Sequence, residues 1–299
     1  MGHFSGGDDV GANFYPQLRN YISNDDQLIK KHMKMMKAAG TGVVVISWHG
    51  EGSYTDKSVQ KYLKTAQDFG LKIAFHVEPF YENIDQFRVA MQYLFRQYAA
   101  HPAFYRKDGK PPIYVYDSYK IKPEEWRLLL GKNTTESLRN TEIDGLYIGL
   151  FVEENHFDFF KNSGFDDFYT YFASEGFVYG STVSHWKGLS DFAKSQGLLF
   201  IPCVGPGYSD TRIRPWNEEN FKSRQNGLYY EKMFEAATEI KPEIIAVTSF
   251  NEWHEGTQIE PAIPKKTKNL YEDYGTKPNF YLKLTKKLVK KFLKLKEQK

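Results

Sequence analysis

The chain has 299 residues, enough for one large domain or two ordinary ones. Hydrophobic residues make up 41% and charged residues 26%, which excludes a mainly disordered, collagen-like or coiled-coil chain. Lys and Arg number 40 against 37 Asp and Glu, a net charge of +3, too balanced to indicate a nucleic-acid partner or a membrane surface. The one cysteine, Cys203, permits no internal disulfide and no all-cysteine metal site. Aromatics are the outlier at 16%, more flat amphipathic surface than a core requires and suited to ring-shaped ligands.

The first readable element is a helix with Ser23 as its expected N-cap, apolar positions at Leu28, Ile29, Met33, Met36 and Ala39, and a stop at Gly40. An apolar run over 42–48 then predicts a buried strand, a helix follows through Val59, Leu63, Ala66 and Phe69 to Gly70, and 71–77 reads as the next strand. The alternation continues with a helix over 84–100, a strand over 112–116, a helix near 123–130, and strands over 145–152, 165–172, 198–204 and 244–250. Seven apolar strands separated by helices predict a parallel sheet buried on both faces.

Polar residues follow several of these strands, as in Trp48-His49, Glu78-Pro79, Asp117-Ser118 and Asn251-Glu252. This favours an α/β fold of the (β/α)8 TIM-type barrel, whose chemistry gathers on the loops after the strands. An open doubly wound sheet is the alternative, but no glycine-rich phosphate loop is present. Because the pattern opens on a helix, the expectation is that the barrel's first strand is missing, with 1–20 an irregular segment and 21–299 the barrel domain. The tail after Pro278, with Phe280, Leu284, Leu288, Phe292 and Leu295 at helical spacing and lysines between, predicts a final barrel helix with a solvated lysine face. No stretch approaches the ~18 apolar residues of a membrane span.

The densest polar cluster is 248–258, with Glu252 and Glu255 three residues apart beside Asn251, Trp253 and Gly256. On a helical turn such a pair stands ~5–6 Å apart at Cβ. Two carboxyls at that spacing suit glycosidic cleavage, in which one must be protonated to donate to the leaving oxygen and the other ionised. A solvated helix N-terminus carrying two acids is the plain structural reading. His254-Glu255 begins a zinc-type H-E-x-x-H, but its fifth position is Gln258, so no metal is expected. His76 and Glu78 share one face of their strand with Ala74. The loop 204–217 adds Tyr208, Arg214, Trp216 and Asn217, a set able to bond and stack on sugars. Cys203, inside an apolar strand, reads as core.

The strings SFNEWHEGTQIE (249–260), VGPGYSDTRIRPWN (204–217), FHVEPF (75–80), YVYDSY (114–119), HPAFYR (101–106), GFDDFYTYFAS (164–174) and NFYP (13–16) resemble glycoside hydrolase family 99, in order along almost the whole chain. The resemblance implies a (β/α)8 barrel that cleaves an internal α-1,2-mannosidic bond in glucosylated high-mannose N-linked glycans, with retention and without metal or other cofactor. It implies Glu252 as base toward the 2-hydroxyl of the reacting mannose, giving a 1,2-anhydro sugar, and Glu255 as general acid/base. Glu78, Tyr208, Arg214 and Trp216 would shape sugar subsites, with Trp48, His76, Tyr116, Asp117 and Asn251 as further pocket residues. It also implies residence in the Golgi lumen, although the membrane anchor of Golgi members has no counterpart here. A carbohydrate-binding pseudoenzyme with an incomplete barrel is the competing expectation, and a metal-dependent hydrolase a weaker one.

Overall fold

The computed structural model describes residues 10–275 and 277–297. The expected irregular segment 1–20 lies partly outside the described residues, over 1–9. In chain order the elements are β1 (Tyr15–Pro16), α1 (Asp26–Ala39), β2 (Val43–Trp48), α2 (Asp56–Asp68), β3 (Lys72–Val77), α3 (Ile84–Tyr98), β4 (Pro112–Val115), α4 (Pro123–Leu130), β5 (Leu146–Leu150), α5 (His156–Ser163), β6 (Asp167–Tyr169), α6 (Trp186–Gln196) and β7 (Leu199–Ile201). Then come β8 (Cys203–Val204), α7 (Leu228–Glu239), β9 (Ala246–Val247), β10 (Ala262–Ile263), β11 (Lys265–Lys266), β12 (Leu270–Tyr271) and α8 (Phe280–Glu297). Two compact units divide the chain: one holds 42–170 and 188–201, the other 1–41, 171–187 and 202–299.

The first of these units is built on a six-stranded parallel sheet in sequential order β2-β3-β4-β5-β6-β7. The register runs Val43↔Lys72, Phe75↔Ile113, Pro112↔Leu146, Ile148↔Asp167 and Asp167↔Leu199. Parallel neighbours need crossover connections, and α2 to α5 supply four of them. The inner strands are apolar and buried as expected, whereas the edge strand β2 is only half covered, with Val45 41% exposed. Trp126, Tyr147, Phe87 and Phe168 are wholly buried in this core. Much of the aromatic excess is thus spent on packing.

The second unit pairs β8 with β9 in parallel and β1 with β10 antiparallel. The expected strand 198–204 is divided at Pro202, which lacks an N–H to donate to a ladder. The expected strand 244–250 shrinks to Ala246–Val247, because the following backbone turns to other partners. Ser249 N–H donates to Thr257 O at 3.0 Å and Glu260 N–H to Phe250 O at 2.9 Å.

Helix α1 starts two residues later than the Ser23 reading: Asp25 is the N-cap, its Oδ1 accepting from Leu28 N–H at 2.8 Å. Its C-terminal stop is the expected one, with Gly40 left-handed at φ 93°. A Cβ at Gly40 would stand 3.1 Å from Val289 of α8, so the same glycine lets these helices approach. Helix α8 buries Tyr281, Leu282, Leu284 and Leu288. Its lysine face is exposed, as expected, and on it Lys287 pairs with Glu231 at 3.0 Å and Lys291 with Glu235 at 3.1 Å, both on α7. No helix among the described residues is long and apolar enough to cross a membrane.

Candidate active site

In the unit containing 202–299, Glu252 and Glu255 lie on a tight turn just beyond β9 rather than on a helix. Gly256 N–H donates to Trp253 O at 3.1 Å, and Thr257 N–H returns to Glu252 O at 3.3 Å. Gly256 takes φ +61° and packs so closely that a Cβ would meet Ser209 O at 2.8 Å, so glycine is required twice over. The turn is pinned at its start by Ser249, whose Oγ accepts from Glu252 N–H at 2.8 Å. Both glutamates are half-buried, and the Glu255 side chain keeps 23% exposure. The solvated helix end is therefore not what forms.

The loop after β8 is tied to this turn by Ser209 N–H, which donates to Glu255 O at 2.8 Å. Its centre is Asp210, 1% exposed, which the sequence reading passed over. One carboxylate oxygen of Asp210 accepts from Tyr208 Oη at 2.9 Å, Arg214 Nη1 at 3.0 Å and Asn217 Nδ2 at 2.9 Å. The available signal was spacing: Asp210 stands four residues before Arg214 and two after Tyr208. Arg214 Nη1 also reaches Glu255 Oε1 at 3.8 Å, setting a fixed positive charge beside that carboxylate. The Asp210 hydrogen bond, more than the opposing effect of burial, raises the Arg214 pKa, so the guanidinium stays charged. Burial, then the negative charge of Glu255 and Asp210, push the Tyr208 phenol upward, which keeps it a neutral donor.

Trp216 stands 79% exposed, an open aromatic face. Asn251 is half-buried beside Tyr21, to which its side chain hydrogen-bonds. A cavity of about 240 Å³ in this unit is lined by Tyr208, Ser209, Arg224, Gly256, Glu272 and Tyr274, and neither Glu252 nor Glu255 faces it.

The remaining sequence candidates fall in the other unit. His76 and Glu78 do share a face, with Nδ1 2.9 Å from Glu78 Oε1, and Tyr169 Oη stands 2.7 Å from His76 Nε2. An ionised carboxylate can only accept, so Nδ1 carries the proton. Burial raises the Glu78 pKa, but the His76 hydrogen bond and charge, with help from Ser47 and His49, outweigh it and hold the carboxyl below its usual range. Tyr116 lies against His76 with ring centroids 5.2 Å apart. Asp117, left-handed at φ 51°, is bonded to Lys120 at 2.6 Å and to Tyr119 Oη at 2.8 Å. Trp48 departs from its expected place in a pocket: it is wholly buried, and its indole N–H donates to Asp56 at 2.8 Å. It supports the loop after β2 from beneath. Among the described residues no group of three or more His, Cys, Asp or Glu side chains is placed to hold a metal ion.

Comparison with known proteins decides the family. The sequence model of Glycosyl hydrolase family 99 matches residues 1–294. The chain belongs to glycosyl hydrolase family 99. This family 99 chain is 48% identical over 312 residues to the glycoprotein endo-alpha-1,2-mannosidase of Xenopus laevis, covering 99% of the chain and 69% of that protein. It is 46% identical to the enzyme of the same name from Mus musculus, covering 98% of the chain and 67% of that protein. The solved GH99 endo-alpha-mannosidase of Bacteroides thetaiotaomicron superposes with a TM-score of 0.94 at 46% identity, over 97% of this chain and 86% of that one. The family 99 chain is thus a glycoside hydrolase, and its fold class is the α/β TIM-type barrel expected from the sequence.

Proposed function

We propose that the chain is a retaining endo-α-1,2-mannosidase, cleaving an internal α-1,2-mannosidic bond of glucosylated high-mannose N-linked glycans in the Golgi lumen. The observation that carries this reading is identity of 46–48% along nearly the whole chain to relatives named glycoprotein endo-alpha-1,2-mannosidase. It is supported by two part-open carboxylates on one turn, with Arg214 beside the second.

In the proposed first step Glu252 takes the proton from the 2-hydroxyl of the reacting mannose as O2 attacks C1. The C1–oxygen bond to the leaving sugar breaks, and Glu255 gives that oxygen its proton. In the second step Glu255, now ionised, takes a proton from water attacking C1. The C1–O2 bond of the anhydro sugar opens, and O2 recovers its proton from Glu252. Two inversions at C1 give net retention, and both carboxyls return to their starting states. Arg214, 3.8 Å from Glu255, stabilises that group while it is ionised between the steps. Tyr208, Asn251 and the open face of Trp216 are assigned to sugar contact, as are the polar groups of Glu78, His76, Tyr116 and Asp117; Trp48 acts only by support.

The test is release of a glucosylmannose disaccharide from a glucosylated high-mannose glycan, followed by chromatography with and without a chelator. Glu252→Gln and Glu255→Gln should each lower kcat by ~10²–10⁴-fold while glycan binding by calorimetry persists. Binding with no turnover by the parent chain would favour the pseudoenzyme instead, and loss of turnover on chelation the metal-dependent hydrolase.

A further inference from the structure

Trp253 sits between the two glutamates in the chain and is wholly buried. Its backbone forms the turn itself, since its N–H donates to Asn251 O at 3.0 Å and its carbonyl accepts from Gly256 N–H. Its indole N–H donates to Glu260 Oε2 at 3.0 Å and also reaches Tyr21 Oη at 3.0 Å. Glu260 is likewise wholly buried and has two further partners: Tyr21 Oη donates to Oε2 at 2.8 Å, and His32 Nε2 stands 3.0 Å from Oε1. His32 is held in turn edge-on between Tyr21 and Phe250, at ring distances of 5.3 and 5.0 Å.

A buried carboxylate is tolerated only when its oxygens are satisfied, so this one must keep its donors in place. The donors come from α1, from the segment before it and from the turn. A hydrogen bond to a charged acceptor is among the stronger ones, and its direction fixes the indole plane. The indole, fixed in plane, fixes the backbone on either side of it, which is the backbone from which Glu252 and Glu255 project.

We propose that Glu260, acting through the indole of Trp253, is a positioning residue that holds the 252–256 turn in its working geometry. The proposal rests on the roles assigned above to Glu252 and Glu255. Trp253→Phe removes the N–H together with one of the two fused rings and keeps a single aromatic ring at the buried position. Glu260→Gln keeps an acceptor for the indole in the same volume and removes the charge. Both are measured well below their melting midpoints, where each is fully folded.

Trp253→Phe is expected to lower kcat about 10-fold with KM within about twofold of the parent, because displaced reacting groups slow the chemical step more than they weaken binding. Glu260→Gln should lower kcat about threefold, again with KM unchanged. Amide exchange at Gly256 and Thr257 should quicken in both. A kcat within about twofold of the parent in folded Trp253→Phe overturns the proposal, and should that variant fail to fold, Glu260→Gln decides by the same reading. If the parent itself releases no disaccharide, the functional reading has failed instead. The exchange rates then decide the positioning claim alone: faster exchange supports it and unchanged exchange overturns it.

Discussion

Acid should destabilise the unit holding 42–170 through one imidazole. His156, the first residue of α5, is 6% exposed and enclosed by Tyr119, Phe151 and Phe159 at ring distances of 4.9 to 5.9 Å. Its Nδ1 accepts the Val152 N–H at 3.0 Å, which is possible only while that nitrogen has no proton of its own. Burial drives its pKa from 6.5 to about 4. Between those values the unfolded chain binds a proton that the folded chain refuses, so stability rises with pH. The contribution is intact above pH 6.5 and lost progressively toward pH 4, and the gap corresponds to about 3 kcal/mol at its full extent. His156→Asn offers an amide oxygen to the same N–H and cannot ionise. Urea unfolding of parent and variant from pH 7.5 to 4.5 should therefore give stability curves that differ by a pH-dependent term, the parent falling more steeply by about 2 kcal/mol. Parallel curves would show that His156 does not carry the acid sensitivity and would refute the reasoning.

Two further outcomes follow from the site's supporting contacts. Asp210→Asn can keep an acceptor oxygen toward Tyr208, Arg214 and Asn217 but removes the negative charge that pairs with the Arg214 guanidinium, and should cut kcat/KM about 10-fold in glycan cleavage; a value within twofold of the parent would remove Asp210 from the site. Gly205→Ala places a methyl 2.5 Å from Thr248 O and 2.3 Å from Ala173 Cβ, and should lower unfolding free energy by about 1–3 kcal/mol in urea titration, with no change if the loop can simply shift.

What the sequence made legible is what is encoded locally. The period of apolar residues locates α1, α2, α3 and α4 to within a few residues, and the bounds of α4 agree with the reading at both ends. Strand existence is equally clear, but strand length depends on finding a neighbour to bond. Residues 244–250 are as apolar as any true strand, yet only Ala246 and Val247 obtain ladder partners. Tryptophans show the same limit for the site. Trp48 and Trp216 both follow polar-rich loops or strand ends, but one is wholly buried under an Asp56 bond and the other is 79% exposed. Nothing in the residues adjoining either one encodes that difference, because it is decided by packing far away in sequence. The Glu252–Glu255 spacing was visible, whereas its conformation was not: i and i+3 alone do not separate a helical turn from the tight turn closed by Gly256.

Carboxylates in this chain differ in how deeply they are buried. Asp56 is buried, which by itself raises its pKa. Yet Tyr98, Trp48, Gly52 and Tyr93 all donate to it and hold it ionised below the usual range. Asp210 and Glu260 are likewise buried with three partners apiece. Asp56, with donors on both oxygens, would have to surrender bonds that nothing else replaces in order to take up a proton, so it is suited to hold a shape. Glu252 and Glu255 are half-buried on a backbone fixed by hydrogen bonds, and the Glu255 side chain keeps 23% exposure. On the mechanism proposed above, a group that gives up and regains a proton in every turnover needs rigid attachment together with access to solvent. The buried acids supply the rigidity: Asp210 holds the Arg214 guanidinium beside Glu255, and Glu260 grips the indole between the two glutamates.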